Sequence, residues 1–236
     1  MDELSLLLLS AASLGIGHTL LGPDHYLPFI VLSKARSWSR GRTLWITFIS
    51  GLGHVGSSVI LGAVGIALGI SLHRLEAIEA GRGNLVGWML ILFGGLYTIY
   101  GIFKYVRRGG HVHLPAFLRP KAIRHRHLGI REEDVQENAE DVAKLTPWIL
   151  FLIFVFGPCE VLIPVLMFPA AEMNGMGIAL VALVFGIATV GTMLFVVLLG
   201  YQGVSLVRLK GREHVMHLVA GLVILSAGLG MQFLGL

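Results

Sequence analysis

Six long apolar stretches dominate the sequence and limit the kind of fold that it can adopt. They cover residues 4–32, 43–71, 84–106, 146–170, 175–203 and 214–235. A helix needs about 20 mostly apolar residues to cross the hydrocarbon core of a bilayer, which is about 30 Å thick. Because 55% of the residues are hydrophobic and only 14% are charged, there is too little charge to cover the surface of a soluble domain. The sequence therefore predicts an all-α membrane protein with six transmembrane helices.

The lysines and arginines lie almost entirely on one side of the predicted membrane. Sixteen of the 18 fall between spans one and two, in or beside the segment 107–145, or between spans five and six; only Arg74 and Arg82 fall on the other side. Cytoplasmic loops carry such an excess. We therefore expect a plasma-membrane or inner-membrane protein with both termini outside and the 107–145 loop in the cytoplasm. The pI of about 9.5 then indicates topology and not a nucleic-acid partner.

The two halves of the sequence resemble each other at a nearly constant offset of 134 or 135 residues. The matches are Gly22-Pro23 with Gly157-Pro158, Gly56 with Gly191, and Gly87, Gly94 and Gly101 with Gly221, Gly228 and Gly235. Since each half has three spans, the second half must be inserted upside down, which is typical of transporters with a substrate site near the midplane. We expect a first repeat over 1–106, a cytoplasmic loop rich in histidine and arginine over 107–145, and a second repeat over 146–236.

A Gly-Pro pair interrupts the first span of each half. Proline has no N–H to donate, and its ring clashes with the carbonyl four residues earlier. We therefore expect helix breaks at Gly22 and Pro23 and at Gly157 and Pro158. Broken helices are tolerated inside a membrane where they line a cavity.

Two carboxylates follow these breaks, in Gly22-Pro23-Asp24-His25 and in Gly157-Pro158-Cys159-Glu160. A charged group in the middle of a membrane costs about 2.5–3.5 kcal/mol on insertion scales. Because Asp24 and Glu160 follow the Gly-Pro of each half, we expect them to share one site. The alternative is that one or both reach water at a helix end.

Three histidines lie close to these acids in the predicted membrane segments. His18 and His25 are seven residues apart, so an unbroken helix would place both on one face, and His54 lies near the start of span two. Imidazole nitrogens together with a carboxylate suit divalent first-row metals such as nickel, cobalt or zinc. The alternative for each histidine is a hydrogen bond between packed helices. The predicted metal-binding residues are His18, Asp24, His25, His54 and Glu160.

Other residues are candidates for auxiliary roles. Cys159 is either a soft ligand or a small buried apolar residue, and Thr189 matches His54 in the repeat. The 107–145 loop has two His-x-His pairs, which either capture and release metal or are simply solvated among arginines. These pairs are His111 with His113 and His125 with His127.

These residues resemble the nickel/cobalt transporter superfamily, above all its short UreH/NicO-type membrane proteins. That family is marked by a His–Asp–His signature on an early helix, here His18 to His25, and by a Leu-Gly-His motif on the next, here ending at His54. The usual signature has four residues between histidine and aspartate; the five present here are more similar to the HupE/UreJ membrane proteins that accompany hydrogenase and urease. The resemblance implies movement of nickel or cobalt through a six-helix core, with His18, Asp24, His25 and His54 as metal-binding positions.

The sequence as a whole predicts a secondary transporter and not an enzyme. It has no GxxxxGK[ST] motif for ATP hydrolysis, no permanently bound cofactor is expected, and protons are candidate coupling ions for transported Ni²⁺ or Co²⁺. One alternative is an exporter of a small organic solute or anion, and another is a membrane assembly factor for a metalloenzyme of the urease or hydrogenase type. An intramolecular thiol–disulfide relay needs two cysteines, and Cys159 is the only one. The direction of transport and the formation of a homo-oligomer are left open.

Overall fold

The computed structural model describes residues 3–107, 132–171, 175–206 and 213–234, and the regular secondary structure of these residues is entirely helical. A short 3₁₀ turn, Pro23–His25, separates the first two α-helices. The α-helices are α1 (Glu3–Leu21), α2 (Leu27–Ala35), α3 (Arg40–Ala67), α4 (Leu72–Arg107), α5 (Glu132–Phe156), α6 (Leu162–Ala171), α7 (Gly175–Leu206) and α8 (Glu213–Leu234).

Five of these helices, α1, α3, α4, α7 and α8, are long and apolar enough to cross a membrane. The predicted class of an all-α integral membrane protein is therefore confirmed. The fourth predicted span, 146–170, consists of two shorter helices, because the chain leaves the helix at Gly157 and resumes it at Leu162. The apolar part of α5, Lys144–Phe156, is too short to cross alone, so the count of six spans stays a prediction.

Helix α4 begins well before the span that hydropathy indicates. The sequence predicted a span from residue 84, whereas α4 begins at Leu72. The added turns carry charged residues, including Glu79 and Arg82, which lower the hydropathy of any window that contains them. Glu79 is nevertheless fully buried, because Arg82 lies one turn further along the same helix and forms an ion pair with it.

The chain leaves the helix at both predicted Gly-Pro breaks. After α1, the Gly22 N–H donates to the His18 carbonyl at 3.0 Å, and the His25 N–H donates to the Gly22 carbonyl at 3.1 Å. After α5, the Gly157 N–H donates to the Phe154 carbonyl at 3.0 Å. Pro158 has no N–H to donate to this Phe154 carbonyl, and the tight turn at Gly157 supplies the donor in its place.

Helices α4 and α8 form a close antiparallel pair in which glycines face the neighbouring backbone. A Cβ added at Gly101 would lie 2.5 Å from the Leu218 nitrogen, and one added at Gly221 would lie 2.5 Å from the Thr98 nitrogen. As residue numbers rise along α4 they fall along α8, which shows that the helices are antiparallel. Small residues allow such approach, and van der Waals packing then drives association of helices in lipid. Gly94, Gly101, Gly221 and Gly228 therefore serve packing within the chain, whereas Gly235 lies outside the described residues.

Gly94→Ala is expected to weaken this helix pair. A Cβ at Gly94 would overlap the Leu225 backbone nitrogen, which cannot move aside as a flexible side chain would. Overpacking of this kind costs about 1–3 kcal/mol. Gly95→Ala is the matched control, because a Cβ there meets nothing within 4 Å. Thermal unfolding in detergent measures the difference, and equal unfolding temperatures for the two variants would contradict the packing described.

Candidate metal centre

The break after α1 brings together two histidines that a continuous helix would keep apart. His18 lies in the last turn of α1, and His25 lies in the 3₁₀ turn that follows. In a continuous helix, seven residues correspond to a rise of about 10.5 Å. In the structure the two ring centroids are 4.6 Å apart, so the Gly22-Pro23 break folds the second histidine back towards the first.

His54 completes the cluster from the middle of α3. The sequence placed this residue near the start of a span, but α3 runs over Arg40–Ala67, so His54 is about halfway along it. The Nε2 atoms of His25 and His54 are 3.3 Å apart. One nitrogen of each of the three imidazoles lies within 4.8 Å of the others. The three rings therefore converge on one point within the helix bundle.

The spacing of these nitrogens fits a metal ion. Two nitrogens bound at about 2.0–2.1 Å to one tetrahedral ion lie about 3.3 Å apart, which is the separation of the His25 and His54 Nε2 atoms. His18 Nε2 is buried and makes no hydrogen bond with the described residues, and the same holds for His54 Nδ1. Buried polar atoms are normally satisfied, and the His18 nitrogen has no partner among the described residues, whereas the 3.3 Å between the His25 and His54 Nε2 atoms is also a hydrogen-bond distance.

Asp24 orients His25 from its other ring nitrogen. The Asp24 Oδ1 atom lies 3.2 Å from His25 Nδ1, and the Gly22 carbonyl oxygen lies 3.1 Å from the same nitrogen. Both oxygens are acceptors, so Nδ1 is the donating nitrogen of this ring, and Nε2 is the nitrogen that faces the cluster. Metal-binding histidines usually have such a carboxylate or carbonyl partner, which raises ligand basicity. Asp24 therefore contacts the His25 ring and is not itself in the group of converging nitrogens.

A cavity of about 900 Å³ leads to the cluster. His18, Asp24 and His25 line it, together with Gly83 and Asn84 near the start of α4. Glu160 also lines the cavity but is exposed, and it is not part of the group of converging imidazoles. Among the residues that the structure describes, the lining has two carboxylates and no lysine or arginine. Such a one-signed cleft raises the local concentration of cations.

Apolar packing closes the other side of the cluster. The Phe154 ring centroid lies 6.4 Å from that of His25 and 6.2 Å from that of His54, and it packs on Phe29 at 4.7 Å. The buried residues of this core include Leu32, Leu90, Leu150, Met193 and Val197. His18 and His25 therefore border the cavity, while Phe154 packs against the His25 and His54 rings.

The sequence reasoning missed an ion pair that supports the second helix break. Arg82 Nη1 lies 2.5 Å from Glu79 Oε1, and Arg82 Nη2 donates to the carbonyls of Val155 and Gly157, each at 3.0 Å. Glu79 Oε2 accepts from the Cys159 N–H at 2.9 Å. The spacing of Glu79 and Arg82 by three residues on one helix was the available signal, but both fell outside the apolar window.

The ion pair also reaches the backbone around His54. Arg82 Nη2 lies 2.6 Å from Ser57 Oγ, and the Ser57 hydroxyl donates to the His54 carbonyl at 2.9 Å. The His54 ring in turn lies against the second break, because a Cβ added at Gly157 would be 2.9 Å from His54 Nδ1. Arg82 therefore holds both the turn at Gly157 and the helix segment that carries His54.

The predicted auxiliary residues lie apart from the imidazoles. Cys159 is fully buried and packs in an apolar cluster with Leu162 and Phe185, and its thiol is not in the converging group. Thr189 is buried on α7 with its hydroxyl facing the backbone of α1 near Gly15. His111, His113, His125 and His127 lie outside the described residues.

Comparison with known proteins found no relative of this chain. No protein-family model, curated protein or solved structure matches the chain. The resemblance to nickel/cobalt transporters therefore stays a prediction from motifs, and the function is argued from the geometry of the site.

Proposed function

We propose that the protein is a secondary transporter of a divalent transition-metal ion, with nickel or cobalt as the first candidates. The observation that carries this proposal is the convergence of three imidazoles beside a cavity that Asp24 and Glu160 also line. Imidazole ligands suit nickel, cobalt and zinc, whereas magnesium and calcium prefer oxygen. The ion is a substrate in this proposal and not a resident cofactor.

His18, His25 and His54 supply the nitrogen ligands in the proposed site. Asp24 holds the His25 ring through Nδ1 and provides negative charge next to the cation. Glu160, exposed in the cavity wall, attracts the ion on its way to the imidazoles. A carboxylate of this pair also accepts a proton when the metal leaves, which would couple transport to a proton gradient.

Alternating access through two inverted repeats is the proposed mechanism. Helices α4 and α8, which match in the sequence repeat, are antiparallel, and each half has an interrupted first helix. If α1 with α2 counts as one crossing and α5 with α6 as another, the proposed total is six crossings. The cavity reaches His18 and His25, and Phe154 packs between these histidines and Phe29; in the proposed mechanism, rocking one repeat against the other would change which side of the histidines is accessible.

The alternatives have weaker support in this cavity. An anion exporter needs positive charge along its path, whereas the described residues that line this cavity include two carboxylates and no lysine or arginine. An assembly factor for a metalloenzyme would use the same metal site, and it would bind the ion without moving it across a membrane. Transport measurements therefore separate this second reading from the proposal.

Reconstituted vesicles with a trapped metal-sensitive dye test the proposed transport. We expect nickel or cobalt to cross in vesicles that contain the wild-type protein and not in vesicles that contain His25→Ala. The matched control is His73→Ala, since His73 is exposed and lies outside the histidine cluster. Metal binding without any flux in the wild-type protein would favour the assembly-factor reading, and equal flux in both variants would reject the site.

Asp24→Asn is expected to abolish transport and leave the fold intact. The amide oxygen still accepts from His25 Nδ1, but the negative charge beside the cluster is lost. Loss of a partner behind a metal ligand costs about 10–100-fold in metal affinity or activity. Flux and thermal unfolding are measured together, with Glu76→Gln as the control, because it removes an exposed carboxylate that lies outside the cavity lining. A well-folded Asp24→Asn protein with normal flux would exclude this role.

A further inference from the structure

All the hydroxyl side chains of α3 lie on the face of the helix that carries His54. A helix turns by about 100° per residue, which places each of these side chains within about 60° of His54 around the helix axis. The residues are Thr43, Thr47, Ser50, Ser57 and Ser58. Elsewhere the helix exposes large apolar side chains, including Trp45, Leu52 and Ile60. The polar face therefore points into the helix bundle.

The cavity that leads to the histidines reaches one half of this face. Arg82 Nη1 donates to Ser58 Oγ at 3.1 Å, and the residue that follows Arg82 on α4 is part of the cavity lining. Ser58 is thus on the cavity side of His54. The three hydroxyls from Thr43 to Ser50 lie on the other side of His54, towards the start of α3, over a rise of about 16.5 Å.

Ser50 has a buried hydroxyl group without a partner. The Thr47 hydroxyl donates to the Thr43 carbonyl at 2.9 Å, and the Thr43 hydroxyl donates to the Ser39 carbonyl at 3.0 Å, which is a common arrangement within membrane helices. Ser50 Oγ makes no hydrogen bond with the described residues, although Ser50 is 0% exposed. Leaving a buried hydroxyl unsatisfied is costly, so this oxygen indicates a ligand from outside the chain.

Neutral hydroxyl oxygens suit the passage of a cation away from the imidazoles. A conducting path must bind an ion well enough for entry and weakly enough for release. Imidazole is the stronger ligand for a transition-metal ion, whereas hydroxyl oxygens suit the water shell of the ion. Ser50 lies one helical turn from His54 on the same face, and α3 has no charged residue between Thr43 and His54. An ion that leaves His54 in this direction therefore meets oxygens and no fixed positive charge on α3.

We propose that Ser50, Thr47 and Thr43 line the second half of the metal path, from His54 to the start of α3. Their oxygens contact the divalent cation and its water shell when this side of the histidines opens. The inference rests on the proposed transport and adds the route on the side away from the cavity. The alternative role of these residues is close packing of helices through small side chains, which does not need the hydroxyl oxygen.

Metal flux into vesicles with a trapped dye tests the role of the hydroxyl groups. We expect Thr47→Val and Ser50→Ala each to lower nickel or cobalt flux by about tenfold, since each removes a contact to a charged group. The equilibrium metal affinity should stay unchanged, because neither residue is one of the imidazole ligands. Ser10→Ala is the matched control, since this exposed hydroxyl on α1 donates to the Leu6 carbonyl. Thermal unfolding of each variant checks that the fold is kept.

Thiol labelling in vesicles tests access of water to the path and does not depend on flux. Ser50→Cys and Thr47→Cys are expected to react with a charged, membrane-impermeant thiol reagent, because this side opens to water during the transport cycle. The wild-type protein gives the background, since its only cysteine is the fully buried Cys159. Val55→Cys is the control, because Val55 is buried on α3 in an apolar cluster with Cys159.

The outcomes distinguish failure of this path from failure of the proposed function. Lower flux with unchanged metal affinity in both hydroxyl variants, together with labelling at positions 47 and 50, would support the path. If His25→Ala abolishes flux while Thr47→Val and Ser50→Ala keep the wild-type rate, the transporter stands and the path is wrong. Labelling of neither cysteine variant, or equal labelling of Val55→Cys, would also overturn the path. Absence of flux with the wild-type protein would reject transport itself and the path with it.

Discussion

His54→Ala is expected to abolish saturable binding of nickel, cobalt and zinc by the purified protein. His54 Nε2 lies 3.3 Å from His25 Nε2, and without it the cluster retains only two imidazoles. Loss of a residue behind a metal ligand already costs about 10–100-fold in affinity, so loss of a ligand itself should exceed about 100-fold. Calorimetric titration in detergent measures this directly.

The control for this result is His73→Ala, which removes an exposed histidine from outside the cluster. A triple variant, His18→Ala/Asp24→Asn/His25→Ala, removes the part of the site that comes from α1 and the 3₁₀ turn. Binding lost in both cluster variants and kept in His73→Ala would support one shared site. Binding that persists in His54→Ala and in the triple variant would move the metal elsewhere in the chain, for example to the loop histidines.

Glu79→Gln is expected to destabilise the protein by about 3–5 kcal/mol, the cost of removing one partner from a buried ion pair. Glu79 is fully buried, and the Arg82 side chain is only 16% exposed, so the cation would lose its counter-ion away from water. The matched control is Glu76→Gln, one turn earlier on the same helix, where the side chain is exposed. Equilibrium unfolding with a denaturing detergent gives both free energies.

A double variant distinguishes two causes of the lost stability, an unpaired buried charge and the simple loss of contacts. Glu79→Gln/Arg82→Met removes both charges and should recover part of the stability that Glu79→Gln loses, although the Val155 and Gly157 carbonyls lose their donor. If the single and double variants lose the same free energy, the electrostatic explanation is wrong. Because Arg82 also contacts Ser57 behind His54, we expect weaker metal binding in the double variant even where it folds.

The sequence alone predicted the membrane class and the grouping of three histidines. Apolar stretches of bilayer length admit few folds other than helices, because each backbone group must find its partner within the segment. The Gly22-Pro23 break could be predicted because proline cannot donate within a helix. The choice of His18, His25 and His54 followed from the rarity of ionisable groups in membrane spans, and the structure brings these three rings together.

Only the tertiary structure decided what each polar residue contacts. Asp24 meets His25 Nδ1 and not the point where the rings converge, because the 3₁₀ turn sets its direction. Glu79 and Arg82 lie in the interior because they form an ion pair and Arg82 also donates to the Gly157 carbonyl at the second break. A hydropathy window cannot detect this, because it counts each charge as if it were alone. Local pattern determines where a chain is helical and apolar, whereas contacts between distant helices determine which charges are satisfied and which remain available for a ligand.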